Sequence, residues 1–267
     1  MAMFAHDLRV GFSPLTYAAA AVVFAVLCLV AQSASQDSTP GRQLPAWPDY
    51  LVFFVRGVPI PVEGQAGLGV PVVWLMPQVI LALLVAAYPT RRLGGYAVQT
   101  LHRVGGRAAW WMAKWLWLVA TVVAFYAVAA GVALLFSLFT DSVALEPRPQ
   151  VELAANGLDV AAVSLPALYG ALAAPVVASV AVATVQMVLA FAWRAQFAFL
   201  AVIAYLAASG FAHSPLLLGG NAMVLRNRLF DPAGSSTGTM CLISLGATAA
   251  AVLVGLWTFQ RRDLLPG

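Results

Sequence analysis

The side chains that could do chemistry are few and dispersed. His6, His102 and His213 lie far apart in the chain of 267 residues, and Cys28 and Cys241 are its only cysteines. A metal centre needs converging His, Cys or carboxylate ligands, and a catalytic pair needs a base within reach of a nucleophile. Neither pattern is present, so Cys28 and Cys241 read as small apolar fillers, with a bridge between them left open. The sole lysine, Lys114, follows WWMA and not the glycine-rich turn of a GxxxxGKS/T phosphate loop. The chain is thus expected to hydrolyse no nucleotide alone and to be no enzyme. No carboxylates pair up within the apolar runs, which argues against the proton or sodium relays of many pumps.

What the sequence concentrates is positive charge. Between Tyr88 and Trp117, YPTRRLGGYAVQTLHRVGGRAAWWMAKWLW carries Arg91, Arg92, Arg103, Arg107 and Lys114 without one acidic residue. Long apolar runs flank it. It therefore reads as a cytoplasmic loop, with Arg91, Arg92, Arg107, Trp110, Trp111 and Lys114 as interface anchors where the chain re-enters the membrane. Lys114 is expected to snorkel its amine toward water.

The elements that must position this loop follow from composition. The chain is 62% hydrophobic and 9% charged, with a mean hydropathy of +0.89. Soluble domains are about 45–50% apolar and about 25% charged. An all-α polytopic membrane protein is expected, because uncharged runs of about 20 residues match a hydrocarbon layer about 30 Å thick. A pI near 9.4 does not imply nucleic acid, since the bases flank membrane segments and form no soluble basic face.

Six spans are expected, at about 15–32, 68–88, 111–139, 165–192, 196–212 and 240–259. The outer loops fall at 33–67, 140–163 and 213–239, and the basic loop at 89–110, all within one transmembrane domain of residues 1–267. The first span imitates a signal peptide, but its apolar run is long enough for an uncleaved anchor. Ahead of it, Phe4, Leu8 and Phe12 at helical spacing fit an interfacial helix or a frayed tail equally well. DYLVFFVRG at 49–57 is a short apolar patch that could lie on the outer leaflet. Residues 213–239 read as a broken hydrophobic element, with a short helix entered at Asn221.

Charge counting orients the bundle. Nine bases fall inside (Arg9, Arg91, Arg92, Arg103, Arg107, Lys114, Arg194, Arg261, Arg262) and five outside (Arg42, Arg56, Arg148, Arg226, Arg228). That bias places both termini in the cytoplasm. Within the spans, Gln78, Tyr126, Ser137, Tyr169, Ser179, Gln186 and Tyr205 make a mildly polar interior. Tyr126 and Gln186 are the candidate residues of a translocation path, although an amide in hydrocarbon favours an interhelical hydrogen bond over a substrate contact. Gly170, Ala174 and Ala178 form a small-residue ridge suited to close helix packing.

This layout resembles the six-span permease subunits of bacterial ABC exporters, the type 2 ABC permease class. The most specific part is RVGGRAAWWMAKWLW at Arg103–Trp117, similar to the arginine, small residues, tryptophan pair and lysine that open the third span in many such subunits. The tail WTFQRRDLLPG is also similar to theirs. The resemblance implies a bacterial cytoplasmic-membrane protein, a second permease subunit, identical or similar, and a separate ATP-binding subunit that holds ATP and magnesium. It also implies a coupling helix at about Gly95–Val104, which would present Tyr96, Val98, Gln99, Leu101, His102 and Arg103 to the ATPase. The residues themselves allow this, since YAVQTLHRV is bounded by glycines. Anchoring of the loop to anionic lipid needs only the arginines, whereas this mixed surface suits a protein groove. Cargo in this class is often a peptide, antibiotic or lipid. The alternative is a non-transporting assembly, sensory or immunity subunit acting through protein contacts.

Overall fold

In lipid every backbone polar group must be satisfied within its own segment, so long uncharged runs become helices. The computed structural model of the chain describes residues 7, 11–12, 14–38, 43–60, 71–86, 106–161, 163–212, 214 and 216–261. Among them the longer elements are α1 (Pro14–Ser38), α2 (Trp47–Val55), α3 (Val72–Ala86), α4 (Arg107–Phe139), α5 (Leu165–Ala192), α6 (Ala195–Phe211) and α7 (Thr237–Arg261). Strand structure among the described residues is limited to an isolated bridge between Asn227 and Ser235. Helices α1, α4, α5 and α7 are long and apolar enough to cross a membrane, while the apolar helices α3 and α6 have only 15 and 17 residues. The chain is an all-helical, multi-pass membrane protein.

Helix α5 is the axis of the bundle. It packs most extensively on α7 and also touches α3, α4 and α6. Its most apolar stretch is 56% buried, against 28–33% for the other three long helices. Small side chains permit that burial: Ala171, Ala174, Ala178 and Ala181 are all at most 2% exposed. Of the expected ridge, Ala174 and Ala178 pack inside, whereas Gly170 faces open space.

Several expectations are corrected. Helix α1 continues to Ser38, well beyond residue 32. Helix α4 starts at Arg107 instead of 111, directly after Gly106, whose φ of 113° lies where L side chains rarely go. The apolar patch at 49–57 does not lie on the bundle surface. Tyr50, Val52, Phe53, Phe54 and Val55 are buried, and Phe24 of α1 packs its ring, tilted, against both Phe54 (4.9 Å) and Phe125 of α4 (5.1 Å). No short helix starts at Asn221. A single turn, Leu218–Asn221, ends there and is followed by a tight turn at Val224–Arg226.

That reversal is held by Arg226, which is only 2% exposed. Its guanidinium donates to the carbonyls of Val58 (3.2 Å), Ala212 (2.8 Å) and Gly210 (3.0 Å). A cation buried in this way needs its donors satisfied, and three carbonyls from two segments do so. Arg226 therefore acts as a structural peg joining the α2–α3 and α6–α7 connections.

Candidate functional site

Three helices bring a polar cluster into the bundle. Gln78 follows Pro77 in α3, Tyr126 lies mid-way along α4, and Ser179 is on the buried face of α5. Gln78 Nε2 donates to the Tyr126 hydroxyl at 3.2 Å, and that hydroxyl is 2.8 Å from Ser179 Oγ. Ser179 Oγ in turn donates to Gln78 Oε1 at 3.4 Å. The triangle is closed, which satisfies polar groups that would otherwise be costly in hydrocarbon.

The triangle borders a cavity of about 140 Å³ whose lining includes Phe24, Phe54, Gln78, Tyr126, Leu172 and Val176. The walls are largely apolar, and the amide and phenol form their polar patch. Chemically this arrangement suits an apolar or amphipathic guest that exchanges one hydrogen bond with the triangle. It has no nucleophile–base pair. Among the described residues, no group of three or more His, Cys, Asp or Glu side chains is placed to hold a metal ion.

Of the two path residues expected from sequence, Tyr126 lines the cavity and Gln186 does not. Gln186 is 1% exposed and donates from Nε2 to the Ala82 carbonyl at 2.8 Å, an interhelical bond between α5 and α3.

A second constellation sits at the start of α4. Lys114 Nζ is 2.7 Å from Asp7 Oδ1, with both side chains buried, and 5.4 Å from the centroid of the Trp110 ring. Trp110 stacks on Phe259 of α7 at 4.8 Å with an interplanar angle of 12°, and Trp111 lies against Phe191 of α5 at 5.1 Å. The Arg107 guanidinium donates to the Gln260 carbonyl. Lys114 therefore does not snorkel, and Trp110 and Trp111 are not on the bundle surface. Aromatics from three helices bury the ammonium, and a buried cation needs a counter-charge, which Asp7 supplies.

This clasp depends on close helix approach at Gly255. A Cβ there would overlap the Trp111 indole and come within 2.9 Å of Val188 Cγ2. Gly255→Val is expected to destabilise the chain by about 1–3 kcal/mol, the usual range for overpacking. A lower thermal unfolding midpoint in detergent is the check.

The positions expected to meet a partner, Tyr96, Val98, Gln99, Leu101, His102 and Arg103, lie outside the described residues, as do Arg91 and Arg92. The described chain resumes at Gly106, immediately before the clasp. A family model described as "Protein of unknown function (DUF2705)" matches residues 49–265, most of the chain. The chain belongs to the DUF2705 family. Comparison with curated proteins and with solved structures found no match. The DUF2705 segment takes in the Gln78–Tyr126–Ser179 triangle, Lys114 and the loop before it, while α1 and Asp7 precede it.

Asp49, Glu152 and Arg226 fall in expected outer loops, where charged residues are ordinarily solvated, yet all three are at most 2% exposed. For Asp49 a local signal existed. Pro48 and Asp49 occupy the first turn of α2, and the Asp49 carboxylate reaches back to the Ala46 N–H as the third residue of a capping box does. No local pattern ties residue 49 to residue 152, and none marks one outer arginine as buried.

Proposed function

We propose that this chain is the membrane-spanning subunit of an ATP-driven transporter that moves a hydrophobic or amphipathic substrate. The proposal takes α3 and α6 as crossings, giving six spans with both termini in the cytoplasm of a bacterial cell. A separate ATPase, which would bind ATP and magnesium, docks on the loop at 89–110. A second permease subunit completes the path. Leu134 and Leu138 of α4 and Leu242 and Leu253 of α7 are exposed, and they offer apolar surface to that subunit or to lipid.

One observation carries this reading. Helix α4 is a continuous helix of 33 residues that begins beside the basic loop, is gripped at Lys114 and lines the cavity at Tyr126. At 1.5 Å per residue the helix spans about 50 Å, with Tyr126 about 18 Å from Lys114. A push on the loop would move the cavity wall as part of one rigid element. The residue pattern Arg103–Trp117 and the excess of bases on one side support the same orientation.

The test is a triple replacement at Tyr96, Gln99 and Leu101 that leaves every arginine in place. In membranes containing the chain and its ATPase, transport-linked ATP hydrolysis is expected to fall by roughly tenfold or more, equivalent to at least about 1.4 kcal/mol of coupling. Membrane anchoring should persist. Unchanged hydrolysis would favour a loop that only binds anionic lipid. Normal function with an ATPase unable to hydrolyse ATP would favour the assembly, sensory or immunity subunit.

A further inference from the structure

At the end of the bundle opposite Lys114, two connections meet through a pair of acids. Asp49 lies in the first turn of α2, in the α1–α3 connection, and Glu152 lies in the α4–α5 connection at the start of a short wide turn, Glu152–Asn156. They are 1% and 0% exposed, the short helix and the turn that carry them pack against each other, and each carboxyl acts directly on the other. Asp49 Oδ2 accepts from the Ala46 N–H at 2.8 Å and Oδ1 from the Arg148 N–H at 3.1 Å. Glu152 Oε2 accepts from Asn156 Nδ2 at 2.7 Å, but Glu152 Oε1 has no donor. Two carboxylates are acceptors only, so a bond between them requires a proton that neither the backbone nor Asn156 supplies.

The surroundings do not provide a substitute charge. Among the described residues no base forms an ion pair with either acid. The nearest cation, Arg148, attracts Asp49 but turns Nη1 to the Leu44 carbonyl at 2.6 Å. Tyr50, next to Asp49, has its phenol pushed by burial up to about 12 and so stays neutral; it accepts a hydrogen bond from Gln32 of α1 at 2.8 Å. Cys28 of α1, also buried, acts on the Tyr50 phenol in the same upward direction. Asp37 is exposed at the end of α1, and Arg56 closes the opposite end of α2 over the Phe53 ring.

We propose that Asp49 and Glu152 share one proton and form a proton-binding site that fastens the α1–α3 connection to the α4–α5 connection. The same burial pushes Asp49 up to about 6 and holds Glu152 well above the ordinary carboxylate range, with the neighbouring Asp49 charge adding to the rise at Glu152. Because these values are raised in the folded chain, the fastening is fully present below the ordinary carboxylate range near pH 4. It weakens as the pH rises through about 6 and beyond. Like charges this close cannot both ionise without repulsion, so the seam loosens on the alkaline side.

The test uses the full chain in detergent or lipid nanodiscs, with thermal unfolding followed between about pH 5 and about pH 9. The wild-type midpoint should fall by several degrees toward alkaline pH. Glu152→Gln supplies a permanent N–H donor to Asp49, so its midpoint should lie above the wild type at alkaline pH and lack this part of the pH dependence. Asp49→Asn would set an amide against the Ala46 and Arg148 N–H groups and should be destabilised at every pH. Should Glu152→Gln fail to fold, infrared difference spectra of the wild type still decide. A protonated-carboxyl C=O band at neutral pH that disappears on alkalinisation is expected. Parallel pH curves for wild type and Glu152→Gln, or absence of that band, overturn the proposal. So does an alkaline midpoint restored by added calcium or sodium, which would place a metal cation between the acids.

Discussion

Replacing Lys114 by methionine is expected to destabilise the folded chain by about 3–5 kcal/mol, the range for breaking a buried ion pair from one side. Lys114 is 6% and Asp7 2% exposed, and their 2.7 Å contact is packed under Trp110. The single replacement leaves a carboxylate in an apolar setting. Replacing both members, with Asp7→Leu and Lys114→Met, removes both desolvation penalties, and the double variant should recover to within about 1–2 kcal/mol of the wild type. A double-mutant cycle on unfolding midpoints in detergent isolates the pair's coupling. Additive effects would mean that the two side chains are neighbours without energetic linkage. The pair fixes the start of α4 to residue 7, and under the proposed transport function it would stand next to the loop through which force enters.

The second large effect is expected at the cavity. Val176→Trp places an indole in a space of about 140 Å³, and transport should be lost while the unfolding midpoint moves by no more than about 2–4 °C. Tyr126→Phe is subtler. It removes the hydroxyl that links Gln78 to Ser179, and a lost hydrogen bond of about 1 kcal/mol corresponds to a fall of roughly fivefold in transport. Gln186→Leu is the control, since Gln186 bonds the Ala82 carbonyl and does not line the cavity. Its effect should be on stability, with transport per folded molecule unchanged. Full transport by Val176→Trp would remove the cavity from the path.

The helices were legible because crossing a membrane is a matter of composition and length. The boundaries expected for α5, 165–192, agree with the helix that forms, and α6 and α7 agree within a few residues. Side-chain destinations were less legible, since the same residue types serve two environments. Tryptophans beside arginines commonly mark a lipid interface, yet Trp110 and Trp111 turn inward because Phe191 and Phe259, far along the chain, meet them. Lys114 follows them, and its counter-charge comes from residue 7. Gln78, Tyr126 and Ser179 were each visible as polar residues in apolar runs, but only the packing of three helices makes them one cluster. The Asp49–Glu152 pair had the weakest sequence signal, because acids in outer loops are ordinarily solvated.

The central claim is that this member of the DUF2705 family works with a separate ATPase held on the loop ahead of α4. Recovery of an ATPase subunit with tagged chain, expressed together with its neighbouring genes and purified from membranes, tests it most directly. The account expects an ATP-hydrolysing subunit to co-purify and to be lost when Tyr96, Gln99 and Leu101 are replaced together. Tagged chain that folds, inserts and never recovers an ATPase would contradict it.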